Sequence, residues 1–173
     1  MKSIEQLEMH KKLLVEKFGN FMEKQENLAP IAARIFATLF IDKENGETFE
    51  ELVNFLGASK STISTNLNHL TKAGMIVYHT KPGDRKKYYT LSPVGFLARL
   101  EEKVDQYKTE HQLVEEIIVF KSKSNQITAD PEKIFQQDNE SPYLDFLANT
   151  ITLLEQLRDQ IKTKCSISNT PTI

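Results

Sequence analysis

The chain has 173 residues, of which 27% are charged and 39% hydrophobic, and a formal net charge of −2. This length allows one domain with a core and appendages, and the near-balanced charge, taken alone, argues against a nucleic-acid partner. A single cysteine, Cys165, excludes an intrachain disulfide and a Cys-based metal site.

MKSIEQLEMHKK lacks the continuous apolar run of a signal peptide. The most apolar stretch, LAPIAARIFATLFI (28–41), is too short to span a bilayer and carries Arg34. A cytoplasmic protein with no membrane partner is expected.

In chain order, Ser3 and Gln6 form a capping box, which predicts a helix over about 4–26. Ile4, Leu7, Leu14, Phe18 and Phe21 share its apolar seam, with Lys11 interrupting. Pro30 opens a second, almost wholly apolar helix to about Phe40, followed by the loop DKENGE. Thr48 and Glu51 form another capping box, for the short helix FEELVNFLG. Gly57 closes that helix and Ser59 can cap the next.

MIVYHT (75–80) and YYTL (88–91) are β-like runs around KPGDRKK, and read as a hairpin with a charged tip. Ser92-Pro93 is a cap followed by proline at the first helical position. The helix it starts is expected to reach about Phe120, with Leu97, Leu100, Val104, Tyr107, His111, Val114 and Ile118 on one seam. Residues 121–141 read as a polar linker with a short helix after Pro131. Ser141-Pro142 then starts a last helix, with Tyr143, Leu147, Thr150, Leu154, Leu157 and Ile161 on its seam.

This order predicts a mainly α fold with a small β-hairpin: a winged helix-turn-helix with flanking dimerisation helices. The expected segments are an N-terminal dimerisation helix (1–27), the DNA-binding domain (28–92), dimerisation helices with the polar linker (93–164), and a disordered tail (165–173).

Within this plan the helix GASKSTISTNLNHLTKAG (57–74) is unusual. Eight of its residues are Ser, Thr or Asn and none is acidic, although such side chains compete with the helix for backbone hydrogen bonds. Turning about 100° per residue places Leu67 and Leu70 beside Ile63 on a buried side. Ser61, Thr65, Asn68 and Lys72 fall opposite, with Lys60 and Ser64 flanking on one side and Thr62 and His69 on the other. Short donors and acceptors with positive charge suit base edges framed by phosphates, where a carboxylate would carry the wrong sign. A solvated surface is the ordinary reading of any single Ser or Thr, and His69 reads better as a flanking residue than as a base reader.

Charge follows the same pattern. Residues 58–90 hold Lys60, Lys72, Lys81, Arg85, Lys86 and Lys87 against one acid, Asp84, whereas both flanking segments are net acidic. A basic patch on an acidic body is the footprint of a polyanion site. In a DNA-reading arrangement one tip side chain of Lys81, Arg85, Lys86 and Lys87 enters a minor groove and the rest meet phosphates. Asp84 is expected to hold a neighbouring guanidinium in position. A merely solubilising turn is the competing reading of the tip.

FGNFMEKQENLAPIAARIFATLFI together with FEELVNFLGASKSTISTNLNHLTKAGMIVYHTKPGDRKKYYTLSPVG resembles the MarR-type winged-helix repressors. It is most similar to their GbsR-like branch, which pairs a Ser-rich recognition helix with a Pro-Gly-acid-Arg wing and Tyr-Tyr. The resemblance covers about residues 18–120, and PGDRKKYY is its most specific part. It implies a homodimeric DNA-binding transcriptional regulator, often a repressor, with a small ligand bound near the junction of dimer helices and DNA-binding lobes. By position, 59–69 (Ser59 through His69) match the recognition helix and 81–88 the wing.

Ala33 and Ala37 stand where the branch favours Gly, which alters packing beside any ligand cavity. Lys86 stands where many wings of the broader family carry Arg, so the groove-inserting residue is Arg85 or Lys86, with Arg85 favoured. The helix after 141 has no matched counterpart.

Apolar faces at 4–22, 97–118 and 143–161 exceed what so small a domain needs for its own core. A two-fold dimer would cover them and set two recognition helices on a palindromic double-stranded operator, with half-sites roughly 34–36 Å apart. His111 reads as an interfacial histidine rather than a pH sensor.

Some members of this branch are associated with choline-type ligands, which an aromatic cage would hold. Phe18, Phe21, Phe36, Phe40 and Tyr107 are the candidate pocket residues. With no Trp, and with aromatics at helical spacing ordinarily serving as core, a quaternary ammonium ligand is not expected. The four histidines have no ligand-like spacing, so neither a metal nor another cofactor is expected. No phosphate-cradling loop or nucleophile constellation suggests an enzyme. The alternative function is a winged-helix assembly module that does not read DNA.

Overall fold

A computed structural model of the chain describes residues 3–41, 46–136 and 140–168. The chain divides into two compact units, Met1–Gly95 and Phe96–Ile173.

In the first unit, α1 (Ile4–Glu26) starts on the expected capping box: Ser3 Oγ accepts from the Gln6 amide at 3.3 Å and Gln6 Oε1 from the Ser3 amide at 3.2 Å. α2 (Pro30–Ile41) packs along it and is buried through most of its length. Of the expected seam, Phe18 joins this contact, its ring 4.8 Å from that of Phe40 and 6.5 Å from that of Phe36. Val15, Gly19 and Met22 are the buried residues of α1, whereas Ile4, Leu7, Leu14 and Phe21 are exposed.

Arg34 of α2 bonds along the same side of α1. Its guanidinium donates to Glu16 at 3.0 Å, to Asn20 Oδ1 at 2.9 Å, to the Pro30 carbonyl at 2.9 Å and to Glu23. These three α1 partners share one face, and Gly19 between them leaves room for the Arg34 side chain, whose Cγ would lie 3.0 Å from a β-carbon there. The carboxylates hold the Arg34 pKa above its ordinary value, hydrogen bonding to Glu16 contributing most.

β1 (Glu47–Thr48) leads into α3 (Phe49–Leu56), whose capping box is again present: Thr48 Oγ1 accepts from the Glu51 amide and the Glu51 carboxylate accepts from the Thr48 amide at 2.7 Å. Gly57, at φ 62°, ends α3 in the left-handed conformation open to glycine. α4 (Lys60–Lys72) follows, with Ser59 Oγ accepting from the Thr62 amide. It ends in a Schellman turn: Met75 N–H donates to Leu70 O, Gly74 N–H to Thr71 O, and Gly74 takes φ 67°.

β2 (Ile76–His79) and β3 (Tyr88–Leu91) form the expected antiparallel hairpin, with Tyr78 opposite Tyr89 and His79 opposite Tyr88. β1 was not expected. It pairs Glu47 with Tyr89 and Thr48 with Tyr88, making β3 the central strand. Two residues carry no readable alternation, and part of the preceding DKENGE loop (42–45) lies outside the described residues. The core gathers Ile35, Phe36 and Leu39 of α2, Leu52 of α3, Ile63, Leu67 and Leu70 of α4, and Met75 and Ile76.

α5 (Pro93–Ile127) begins in the first unit, where Ser92 Oγ caps the Gly95 amide at 3.0 Å, and supplies the first long helix of the second. It runs past Phe120 to Ile127 because KSKSNQI loses the apolar period but contains no helix breaker. Within the second unit the next segment folds back: the Asn125 side chain exchanges two 2.9 Å hydrogen bonds with the Phe135 backbone, and Phe120 and Phe135 are in ring contact. A single 3-10 turn, Pro131–Lys133, occupies the expected short-helix position.

α6 (Glu140–Ser168) starts before Ser141-Pro142, which occupies its first turn rather than capping it; proline fits there because first-turn amides need no partner within the helix. The helix continues four residues into the expected tail, and 169–173 lie outside the described residues. Lys162–Glu101, Lys108–Glu155 and Tyr143–Glu110 join α6 to α5, and Leu100, Val104 and Leu147 are buried.

Candidate nucleic-acid interface

The eight hydroxyl and amide side chains of residues 57–74 divide into two groups. Ser59, Thr62, Asn66 and Thr71 serve the helix itself. Ser59 Oγ meets Thr62 Oγ1 at 2.8 Å, Asn66 Nδ2 donates to Thr62 O at 2.8 Å, and Thr71 Oγ1 to Leu67 O at 2.8 Å. Ser61, Ser64, Thr65 and Asn68 are exposed, with Lys60, His69 and Lys72 around them, although Ser61 Oγ also reaches Ser59 Oγ at 2.9 Å. Ile63, Leu67 and Leu70 are buried beneath. The outer surface of α4 is therefore polar, basic and free of carboxylates.

The hairpin tip is a folded loop. Asp84 N–H donates to Lys81 O at 3.0 Å, closing a turn with Pro82 and Gly83 at its centre; Gly83 has φ 77°, which its position in a type II turn requires. Asp84 does not hold a guanidinium. Oδ1 accepts from the Lys86 amide at 2.9 Å and Oδ2 from the Tyr88 hydroxyl at 2.7 Å. The turn bends the acid back along its own loop, whereas the Arg85 side chain is exposed and, among the described residues, makes no hydrogen bond or ion pair. Lys86 amide donation, and then the Tyr88 hydroxyl, hold the Asp84 carboxyl below the ordinary carboxylate range; the same bond raises the Tyr88 pKa.

The remaining cations divide likewise. Lys81 Nζ lies 3.7 Å from the Tyr88 ring centroid and Lys87 Nζ 4.0 Å from that of Tyr78, placements that attract a cation to a ring face. Among the described residues, Arg85 and Lys86 carry no such ring contact. YY in the sequence signalled strand; that Tyr88, together with Tyr78 of β2, also meets the cations of the tip depended on the β2–β3 register.

The candidate ligand residues are partly brought together. Phe18 is the common neighbour of Phe21, Phe36 and Phe40, at centroid distances of 6.0, 6.5 and 4.8 Å. These rings pack on one another, and Phe36 is buried. Tyr107 stands on α5 in the second unit. A cavity of about 370 Å³ lies instead among α1, α2 and α3, lined by Lys12, Val15, Glu16, Ile31, Arg34, Phe55 and Leu56. None of the five candidates lines it. Among the described residues no group of three or more His, Cys, Asp or Glu gathers, and no helix is long and apolar enough to cross a membrane.

No family model matches the chain. Over 90 residues it is 33% identical to the HTH-type transcriptional regulator MmpR5 of Mycobacterium tuberculosis (strain ATCC 25618 / H37Rv), a match covering 52% of this chain and 54% of that protein. The chain thus spans about half the length of that relative. The crystal structure of a transcriptional regulator aligns with it at a TM-score of 0.50 and 23% identity, over 89% of this chain and 99% of that one. The fold is a winged helix-turn-helix. Residues α3 and α4 form its helix-turn-helix, and the β2–β3 loop its wing. S. aureus MepR in complex with DNA also aligns, at a TM-score of 0.40 and 15% identity over 90% of this chain and 99% of that one, too distantly to carry an argument. The proteins this chain resembles in sequence and fold are transcriptional regulators rather than enzymes.

Proposed function

We propose that this chain is a cytoplasmic, sequence-specific DNA-binding transcriptional regulator of the MarR type, acting as a homodimeric repressor. The observation that carries this reading is the carboxylate-free outer face of α4 beside a wing whose one acid is bonded back to Lys86 N–H and the Tyr88 hydroxyl. In this reading Thr65 and Asn68 contact base edges, Lys60, Ser61, Ser64 and Lys72 contact phosphates and neighbouring bases, and Arg85 enters the adjacent minor groove. The resemblance of PGDRKKYY to GbsR-like wings supports that branch within this reading.

The homodimer is supported by apolar side chains left exposed: Ile4, Leu7, Leu14 and Phe21 on the α1 seam, and Leu113 and Ile117 on α5, off the predicted seam of Leu97, Leu100, Val104, Tyr107, His111, Val114 and Ile118, which is buried or half-buried. Exposed apolar side chains grouped along a helix mark association surfaces. Relief of repression by a small effector belongs to the same reading, and the cavity among α1, α2 and α3 has the room that the packed phenylalanines lack.

Selection from a pool of random duplexes, followed by binding measured across a salt series, tests the proposal. The expected result is an enriched palindrome with half-sites roughly one helical turn apart, and an affinity that falls with salt at about −0.9 in log–log slope per phosphate contact. No enriched sequence, or binding indifferent to salt, would overturn it.

A further inference from the structure

We infer that Tyr88 is a positioning residue of the wing: its hydroxyl fastens the Asp84 carboxylate to the central strand and so holds the loop in the shape that presents Arg85 and Lys86. The geometry stands by itself; its consequence for DNA rests on the proposed function above.

Asp84 is the one acid among residues 58–90, and by charge alone it would repel the phosphates its neighbours attract. Its two oxygens are both occupied within the loop, by the Lys86 amide at 2.9 Å and the Tyr88 hydroxyl at 2.7 Å. Tyr88 is a fixed post. It lies on β3, paired with Thr48 on one side and His79 on the other, and its ring stacks on His79 at 5.7 Å and carries Lys81 Nζ at 3.7 Å.

The tip is thereby tied to the middle of the sheet at both its turn and its acid. A loop ordered before binding does not lose that freedom when it binds. The clamp thus assigns Asp84 an effect opposite in sign to its charge: removing it disorders the tip instead of relieving repulsion.

Asp84→Ala, Tyr88→Phe and the double variant, each in the full chain, separate these effects. Binding is measured by fluorescence anisotropy to a duplex enriched by the wild-type protein, and exchange of the Lys86 amide by NMR. Tyr88→Phe keeps the ring and its lysine, so only the hydroxyl is lost. Each single variant is expected to weaken binding about three- to tenfold, the net worth of an ordinary hydrogen bond. The double variant should fall no further than the weaker single, since both remove one clamp, and Lys86 amide exchange should quicken in all three.

Tighter binding by Asp84→Ala would show that its charge prevails and would overturn the inference, as would unchanged affinity or unchanged Lys86 exchange in Tyr88→Phe. If the wild-type protein enriches no duplex, the regulator reading falls by itself. Lys86 exchange then decides the clamp: faster exchange in Tyr88→Phe supports it and unchanged exchange removes it.

Discussion

A β-carbon on Gly95 would lie 1.7 Å from the carbonyl oxygen of Gly74. The residue ending α4 and the first turn of α5 thus meet backbone to backbone, and the Ser92 amide donates to Met75 O at 3.0 Å beside them. Gly95→Ala must push these segments apart. A loss of about 3 kcal/mol is expected, at the upper end of ordinary overpacking because the obstructing atom is backbone. Urea unfolding monitored by circular dichroism would measure it; a wild-type midpoint would show that the contact yields freely.

Thr48→Ala should cost about 1 kcal/mol at neutral pH, the ordinary worth of an N-cap. The Thr48 hydroxyl and amide hold the Glu51 pKa below its ordinary value, the hydroxyl contributing most. A carboxyl lowered on folding contributes fully above its unfolded pKa, and that contribution disappears as pH falls through the lowered folded value. The wild-type advantage over Thr48→Ala should therefore narrow on acidification below the ordinary carboxylate range. Denaturation midpoints of both proteins from neutral to acidic pH test this; a constant difference would show that Glu51 is not linked to the cap.

On DNA, Arg85→Ala should weaken binding to a selected site more than to random duplex. Lys87→Ala should weaken both about equally and lessen the salt slope by roughly 0.9, as for one phosphate contact. Parallel titrations with the two duplexes decide the matter. Equal effects of Arg85→Ala on both would remove its groove-inserting role.

Thr65→Ala or Asn68→Ala should relax base preference at one position of the selected site, with a loss of about 1–3 kcal/mol for a good base contact. Repeating the selection with each variant reads the position directly. An unchanged preference in both variants would show that this face of α4 reads no bases.

Much of the fold was legible because its signals are local. Ser3–Gln6 and Thr48–Glu51 cap the helices they were expected to cap, and Ile63, Leu67 and Leu70 face inward as helical spacing requires. The candidate interface was legible for the same reason, since the absence of acids from α4 is a property of sequence. The apolar seam of α1 is exposed at Ile4, Leu7, Leu14 and Phe21, as expected of a face in excess of the domain's own core; its buried side of Val15, Gly19 and Met22 was not legible, because it depends on where α2 and its Arg34 pack. β1 and the partner of Asp84 were illegible because both depend on where Tyr88 sits in the sheet.

The sequence by itself determined the helices and their caps, the hairpin, and a basic segment carrying one acid, because these follow from neighbours within a few positions. Tertiary structure alone decided the rotation of α1, the crowding of Gly95 against Gly74, and the bond of Asp84 to Tyr88. Each is a contact between residues whose separation in the chain says nothing of their distance, or whose side chains point where a strand register sends them.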